Sequence, residues 1–410
     1  MGATLSLLRL EPRARWFFAV LAQSSLGTGA AYVALLLIAY ERFHSPWSVG
    51  LVLLADLLPA ALLGPILGAA ADRWSRKGCA VVADVMRALA FIGIALVDPF
   101  VATLALALLA GIGNALFKPA ALAGLPSVVA SERGAAATSL YGVITDFGFT
   151  AGPVITAGGL LLVDPEGVMF VNGLTFAVSA VVLWRLAWGD KAAPEEGEER
   201  QSLLRDARLG LSAAARMPGI RVVIVASAGA MLIGGIFNVA EPLFATETLG
   251  TSDSGFALLV AMFGLGFVGG SLRGAEGGAP PILRRRYLQG GFVMGVGWVA
   301  SGASPGLATA MLSFGLAGFG NGLLLVHERL LIQAVVPDHL QGRIFAVSDT
   351  VVSWAFAIAF VSAGPLLESL GVRETLLIGG GVALLFAAAA TIGLRHEWTA
   401  PRREPVREPT

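Results

Sequence analysis

The sequence predicts an all-α polytopic membrane protein, with twelve transmembrane helices in two pseudo-symmetric six-helix bundles. Three observations carry this. Twelve apolar stretches reach the roughly 20 residues that a helix needs to cross a bilayer. Basic and acidic loops alternate along the chain in the order that twelve crossings require. A set of Gly, Asn and Pro positions in the first half returns in the second at a near-constant distance.

The first half supplies apolar windows at about 16–40, 47–71, 79–97, 100–118, 137–163 and 167–188. The second supplies windows at about 220–246, 254–273, 287–303, 306–330, 343–367 and 372–394. The eighth and ninth, rich in glycine, carry the faintest signal. With the N-terminus placed inside and twelve spans threaded, about 24 of the 28 basic residues fall on the cytoplasmic side. They include Arg73, Arg76 and Lys77, Arg133, Arg284 to Arg286, Arg343, and Arg402, Arg403 and Arg407. The outer loops receive Arg42 and Arg373 and are otherwise acidic, with Asp98, Asp164, Glu166, Glu247, Asp253 and Glu374. One span more or fewer would reverse every later loop, so both termini are expected in the cytoplasm. The longest polar stretch, 189–219, joins spans six and seven. Leucines and arginines are mixed over Leu203–Met217, which reads either as an amphipathic helix on the membrane surface or as a partly helical solvated connector. The expected organisation is thus a bundle over 1–188, a connector over 189–219, a bundle over 220–395 and a disordered tail over 396–410.

Composition excludes other classes. Hydrophobic residues make up 56% of the 410 and charged residues 14%, where a soluble chain carries about 25% charge. Mean hydropathy is +0.77. Net charge is zero, so nothing points to nucleic acid. Cys79 is the only cysteine, and His44, His327, His339 and His396 are scattered, so neither an internal disulfide nor a metal cluster can be drawn. Gly264-Leu-Gly266-Phe-Val-Gly269 matches the dinucleotide fingerprint but follows no strand; its small residues suit close helix packing instead. No phosphate-binding loop and no nucleophile–base pair occurs, so no enzyme, nucleotide or cofactor is expected. The Ala, Gly and Arg load suggests a bacterial source, hence the cell (plasma or inner) membrane.

Gly111-Ile-Gly113-Asn114 recurs as Gly318-Phe-Gly320-Asn321, 207 residues later. Pro126 returns as Pro337, Gly134 as Gly342, and Gly152-Pro153 as Gly364-Pro365. Four matches in order at spacings of 207 to 212 residues indicate two six-helix halves of the same orientation. Duplicated bundles of this kind hold substrate near mid-bilayer and alternate access by rocking.

The stretch Gly68-Ala-Ala-Ala-Asp72-Arg73-Trp-Ser-Arg76-Lys77 resembles the loop between the second and third helices of major facilitator superfamily transporters. Ala70 and Ser75 stand where the usual form has Leu and Gly. Within that superfamily the chain looks like the bacterial drug- and metabolite-efflux branches. Gly152-Pro-Val-Ile-Thr-Ala-Gly158-Gly159 is similar to their fifth-helix motif, two residues stretched, and Pro337 with Gly342-Arg343 matches their approach to helix eleven. The resemblance implies a gate built from Gly68, Asp72, Arg73, Arg76 and Lys77, with Gly152, Pro153 and Arg343. In it the Asp72 carboxylate accepts from amides at the start of span eleven, where the helix dipole favours an anion. One departure stands out. Many proton-driven exporters of this class carry an Arg in helix four, and Leu104–Gly111 has none.

Ionisable groups inside spans are expensive and usually face a cavity or partner. Asp146 lies about 9 residues into span five, near mid-membrane at 1.5 Å per residue. It is the first candidate for a proton or cationic-substrate site. Asp56 in span two and Glu241 in span seven are the others, with a structural pair or a snorkelled end as their bland alternative. Asn114 and Asn321 read as hydrogen-bonding links between helices or as substrate contacts. Gln23, with Ser24, Ser25 and Thr28, gives span one a polar side suited to a cavity. Asp84 and Arg87, three apart, suit a structural pair.

The reading that fits is a secondary active transporter, with proton-coupled efflux of small amphipathic or lipophilic compounds by alternating access. The implied partners are a small-molecule substrate, membrane lipids and protons. An uncoupled facilitator or importer of a small metabolite on the same fold is the alternative, kept open by the missing Arg. A membrane sensor or enzyme is the remote one.

Overall fold

The computed structural model describes residues 12–130, 133–188, 203–274 and 277–398. It is all-α, with no strand among the described residues. The helices are α1 (Pro12–Phe43), α2 (Pro46–Arg73), α3 (Arg76–Leu96), α4 (Phe100–Gly124), α5 (Gly134–Gly159), α6 (Pro165–Arg185), α7 (Leu203–Arg216), α8 (Pro218–Leu243), α9 (Asp253–Gly274), α10 (Pro280–Gly302), α11 (Leu307–Val335), α12 (Asp338–Leu370) and α13 (Val372–Gly393). Six long helices precede the short α7 and six follow it, as the apolar windows predict. Ten are apolar and long enough to cross a membrane, among the described residues. α10 falls short because Arg284–Arg286 and its glycines dilute it, and the described apolar part of α5, Ala136–Thr145, is short. Helices outrun the apolar windows where polar residues extend their ends. α11 runs to Val335 rather than 330, carrying His327, Glu328, Arg329 and Gln333 in its last turns.

Local signals set the boundaries. The Ser75 hydroxyl accepts from the Gly78 amide and starts α3. Asp164 accepts from Gly167, with Pro165 at the first position, Glu166 in the first turn and Arg185 in the last turn of α6, all favourable to the helix dipole. Pro280 and Pro281 open α10. A five-residue π turn, Phe244–Thr248, follows α8 at Pro242.

Contacts divide the chain into two compact units. The first contains residues 1–198, 235–264 and 357–373; the second contains 199–234, 265–356 and 374–410. In the first, α1 packs on α5 and α6, α2 on α4, and α3 on α4 and α6. Glycine makes the closest approaches possible. A side chain at Gly152 would stand 2.5 Å from the backbone of Gly29 and Ala30, and one at Gly148 would collide with Ser25. These two positions let α5 lie directly on α1. Arg42 gathers one end of the unit: it pairs with Glu166 at 3.0 Å and donates to the carbonyls of Ile94 and Val97. At that end Tyr40 donates to Glu247, and Gly50 presses on the Phe360 carbonyl.

In the second unit α10 and α11 pack closely, with Gly320 against Met294 and Gly290. α7 docks by Ala214 on a cluster of Ile220, Ile224, Ile332, Val335 and Ile344, while Leu209 and Leu211 stay exposed. Gly210 lies against the backbone of Arg343. The connector is helical over Leu203–Arg216. Its preceding residues, 189–202, and the tail beyond 398 lie outside the described residues.

Candidate functional site

Among the charged groups in the first unit, two arrangements differ in kind. The first is closed. Arg87 donates to Asp84 on the same helix face, and Ser179 of α6 donates to the other Asp84 oxygen. The guanidinium lies between two rings, 4.2 Å from Phe117 and 4.3 Å from Phe176. Asp84 is 0% and Arg87 3% exposed. Charge and π faces are matched, and one guanidinium nitrogen, Nε, is buried without a partner, so this group ties α3, α4 and α6 together rather than exchanging ligands.

The second is open. Asp56 of α2 accepts from the Asn114 amide of α4 at 3.3 Å. The helices can approach because Gly111 has no side chain; a Cβ there would stand 2.2 Å from the Asp56 carbonyl. Asn114 also lines a cavity of about 400 Å³ with Lys118, Gly64 and Pro119. A carboxylate thus sits one hydrogen bond away from a cavity that carries an exposed cation. Glu241 of α8 is 4% exposed and makes no ion pair among the described residues. Tyr32 of α1 lies within its electrostatic reach.

The remaining candidates are dispersed. Gln23 lines a different cavity, between α1, α5 and α6. The Asn321 Oδ1, in the second unit, is buried with no partner. The repeat equivalence of Asn114 and Asn321 therefore extends to position, not to bonding. Asp146 lies on α5 and Asp72 and Arg73 close α2, but their side chains are outside the described residues, and so is any Asp72 partner. Gly68 lies on the last turns of α2. Lys77 donates to the Leu186 carbonyl at 2.9 Å, capping the end of α6, and Arg76 starts α3. Pro153 lies inside α5, where Thr156 donates to Gly152 and to Ala30 of α1. No group of three potential metal ligands occurs among the described residues.

His327-Glu328-Arg329, which the sequence offers as an inner-gate bridge with no chemistry assigned, belongs to a cluster in the second unit. Glu328 is 5% exposed and accepts from Ser348 at 2.6 Å. Tyr287 and Ser227 share a hydrogen bond beside it, and Tyr287 donates to the Val223 carbonyl.

The sequence model of the Major Facilitator Superfamily matches residues 17–359. An uncharacterised MFS-type transporter, YfiS of Bacillus subtilis, is 26% identical, with 90% of each chain covered. The multidrug efflux pump Tap of Mycolicibacterium fortuitum is 25% identical over 86% of this chain and 88% of its own. Among solved structures, the nucleoside transporter NupG superposes with a TM-score of 0.73 at 14% identity, covering 94% of this chain and 100% of its own. A bacterial homologue of the lysosomal transporter Spinster gives 0.74 at 14% identity, over 94% and 97%. With six long helices on each side of a connector and a match across most of its length, the chain belongs to the Major Facilitator Superfamily.

Proposed function

We propose that this transporter exports small amphipathic or lipophilic compounds in exchange for protons. The observation that carries the reading is similarity along nearly the full chain to multidrug efflux pumps. The two six-helix halves, 1–188 and 220–395, alternate access in the cell membrane, with the connector, the tail and both termini cytoplasmic. About 24 basic residues on one side of the threading support that orientation. Asp146, Asp56 and Glu241 are the groups to take up protons, and Asn114, Asn321 and Gln23 the ones to contact substrate. Gly68, Asp72, Arg73, Arg76, Lys77, Gly152, Pro153 and Arg343 form the moving joint.

The test is ethidium flux in proteoliposomes of the full chain. An imposed pH gradient drives dye accumulation, a protonophore abolishes it, and Asp146→Asn removes the pH dependence. Intact coupling in Asp146→Asn rejects that residue. Equal flux with and without the gradient rejects coupling altogether and favours the second reading, an uncoupled facilitator or importer, which the absence of an Arg in Leu104–Gly111 supports.

A further inference from the structure

Between α1, α5 and α6 of the first unit lies a cavity of about 330 Å³, at the lower end of the range that holds drug-sized ligands. Its walls are apolar apart from two carboxamides and two threonines. The threonines are spent: Thr156 donates to Ala30 and Gly152, and Thr175 donates to the Asn172 carbonyl. Asn172 is 3% exposed. Its Oδ1 shares that Thr175 hydroxyl at 3.3 Å and packs tightly on Gly27, where a Cβ would stand 2.0 Å from it. Its Nδ2 is buried with no acceptor, and so is the Nε2 of Gln23. A buried amide without a partner costs about 1–3 kcal/mol, and here both residues border one apolar cavity. Ile155 on α5, Val171 on α6 and Val163 in the turn between them line it, and all three are large apolar side chains left exposed.

We infer that this cavity is a lateral binding site for a lipophilic molecule bearing a carbonyl or ether oxygen, drawn from the bilayer and held by the amides of Gln23 and Asn172. Unsatisfied donors select an acceptor, the apolar walls select the body, and the apolar rim selects hydrocarbon as the route of entry. The inference rests on the reading of the chain as a carrier of lipophilic compounds. It names a place where such a compound waits before transport.

Benzophenone serves as the probe, being apolar, photoreactive and equipped with one carbonyl. The full chain in dioleoylphosphatidylglycerol nanodiscs is illuminated with it, without any gradient, and adducts are mapped by mass spectrometry. Saturable labelling of peptides spanning residues 23–30, 155–163 and 168–175 is expected, displaced by fluorenone and not by fluorene, which has the shape without the oxygen. Gln23→Leu and Asn172→Leu each lower labelling about tenfold, roughly one good hydrogen bond. Ile155→Trp, on the exposed rim, blocks the mouth and abolishes labelling even if an amide variant fails to fold. Absent or unsaturable labelling overturns the proposal, as does equal displacement by fluorene. Labelling without ethidium flux keeps the site and rejects the export reading; flux without labelling does the reverse.

Discussion

Removing the guanidinium of Arg87 leaves Asp84 as a buried charge with Ser179 as its one remaining donor. Breaking a buried ion pair from one side costs about 3–5 kcal/mol, whereas replacing both members by apolar residues of similar size is often neutral. The two ring contacts of Arg87 add about 0.5–2 kcal/mol each. Arg87→Met is therefore expected to destabilise the chain by at least about 4 kcal/mol, and Asp84→Leu by about 3. The double variant, which fills the same space with hydrocarbon, should lie within about 2 kcal/mol of wild type. Equilibrium unfolding in mixed detergent micelles, arranged as a double-mutant cycle, measures the coupling. A coupling below about 1 kcal/mol, or a double variant as unstable as the worse single one, refutes the argument that this group is a closed structural tie.

Other expectations follow from single contacts. Gly320→Ala puts a carbon 2.2 Å from the Met294 nitrogen and should lower stability by about 1–3 kcal/mol, while Gly64→Ala, with nothing within 4 Å, should be silent in thermal unfolding. Lys77→Met loses the bond to the Leu186 carbonyl and should cost about 1 kcal/mol, read as a drop in melting temperature. Asp56→Asn keeps the size of the group that meets Asn114 but removes its charge. It should abolish flux driven by a pH gradient while sparing substrate counterflow in proteoliposomes, and loss of both would reject a proton role for Asp56.

The fold was legible because the solvent of a spanning helix writes itself into composition. Windows of apolar residues locate all twelve long helices, and Ser75, Asp164 and Pro280 mark where three of them begin. Gly266, in the glycine run suited to close packing, does lie against the Gly315 backbone, since only a missing side chain allows one backbone to touch another. The sites were less legible. Helical spacing says which residues share a face, but α1 turns Gln23 toward Asn172 through a contact with Gly27 that no pattern in either helix announces. Asp84 and Arg87 were readable as a pair because both partners lie on one helix. The Asp56–Asn114 bond joins residues 58 apart, and only the glycine at 111 hinted at it.

Two of the buried carboxylates, Asp84 and Glu328, separate structure from chemistry by the company they keep. Asp84 has a cation and a hydroxyl, and its charge is needed by Arg87. Glu328 has the Ser348 and Ser227 hydroxyls and no ion pair among the described residues, so no buried cation is paired with its charge. A carboxamide should therefore be tolerated at one position and not at the other. Glu328→Gln keeps an oxygen for Ser348 and should change stability by less than about 1 kcal/mol. Asp84→Asn strands a guanidinium between Phe117 and Phe176 and should cost about 3–5 kcal/mol. The comparison uses the same substitution chemistry in the same membrane protein, so differences in detergent or lipid cancel. If Glu328→Gln proves as damaging as Asp84→Asn in equilibrium unfolding, Glu328 is holding a charge that its surroundings require, and the distinction between a fixed tie and a free carboxyl falls.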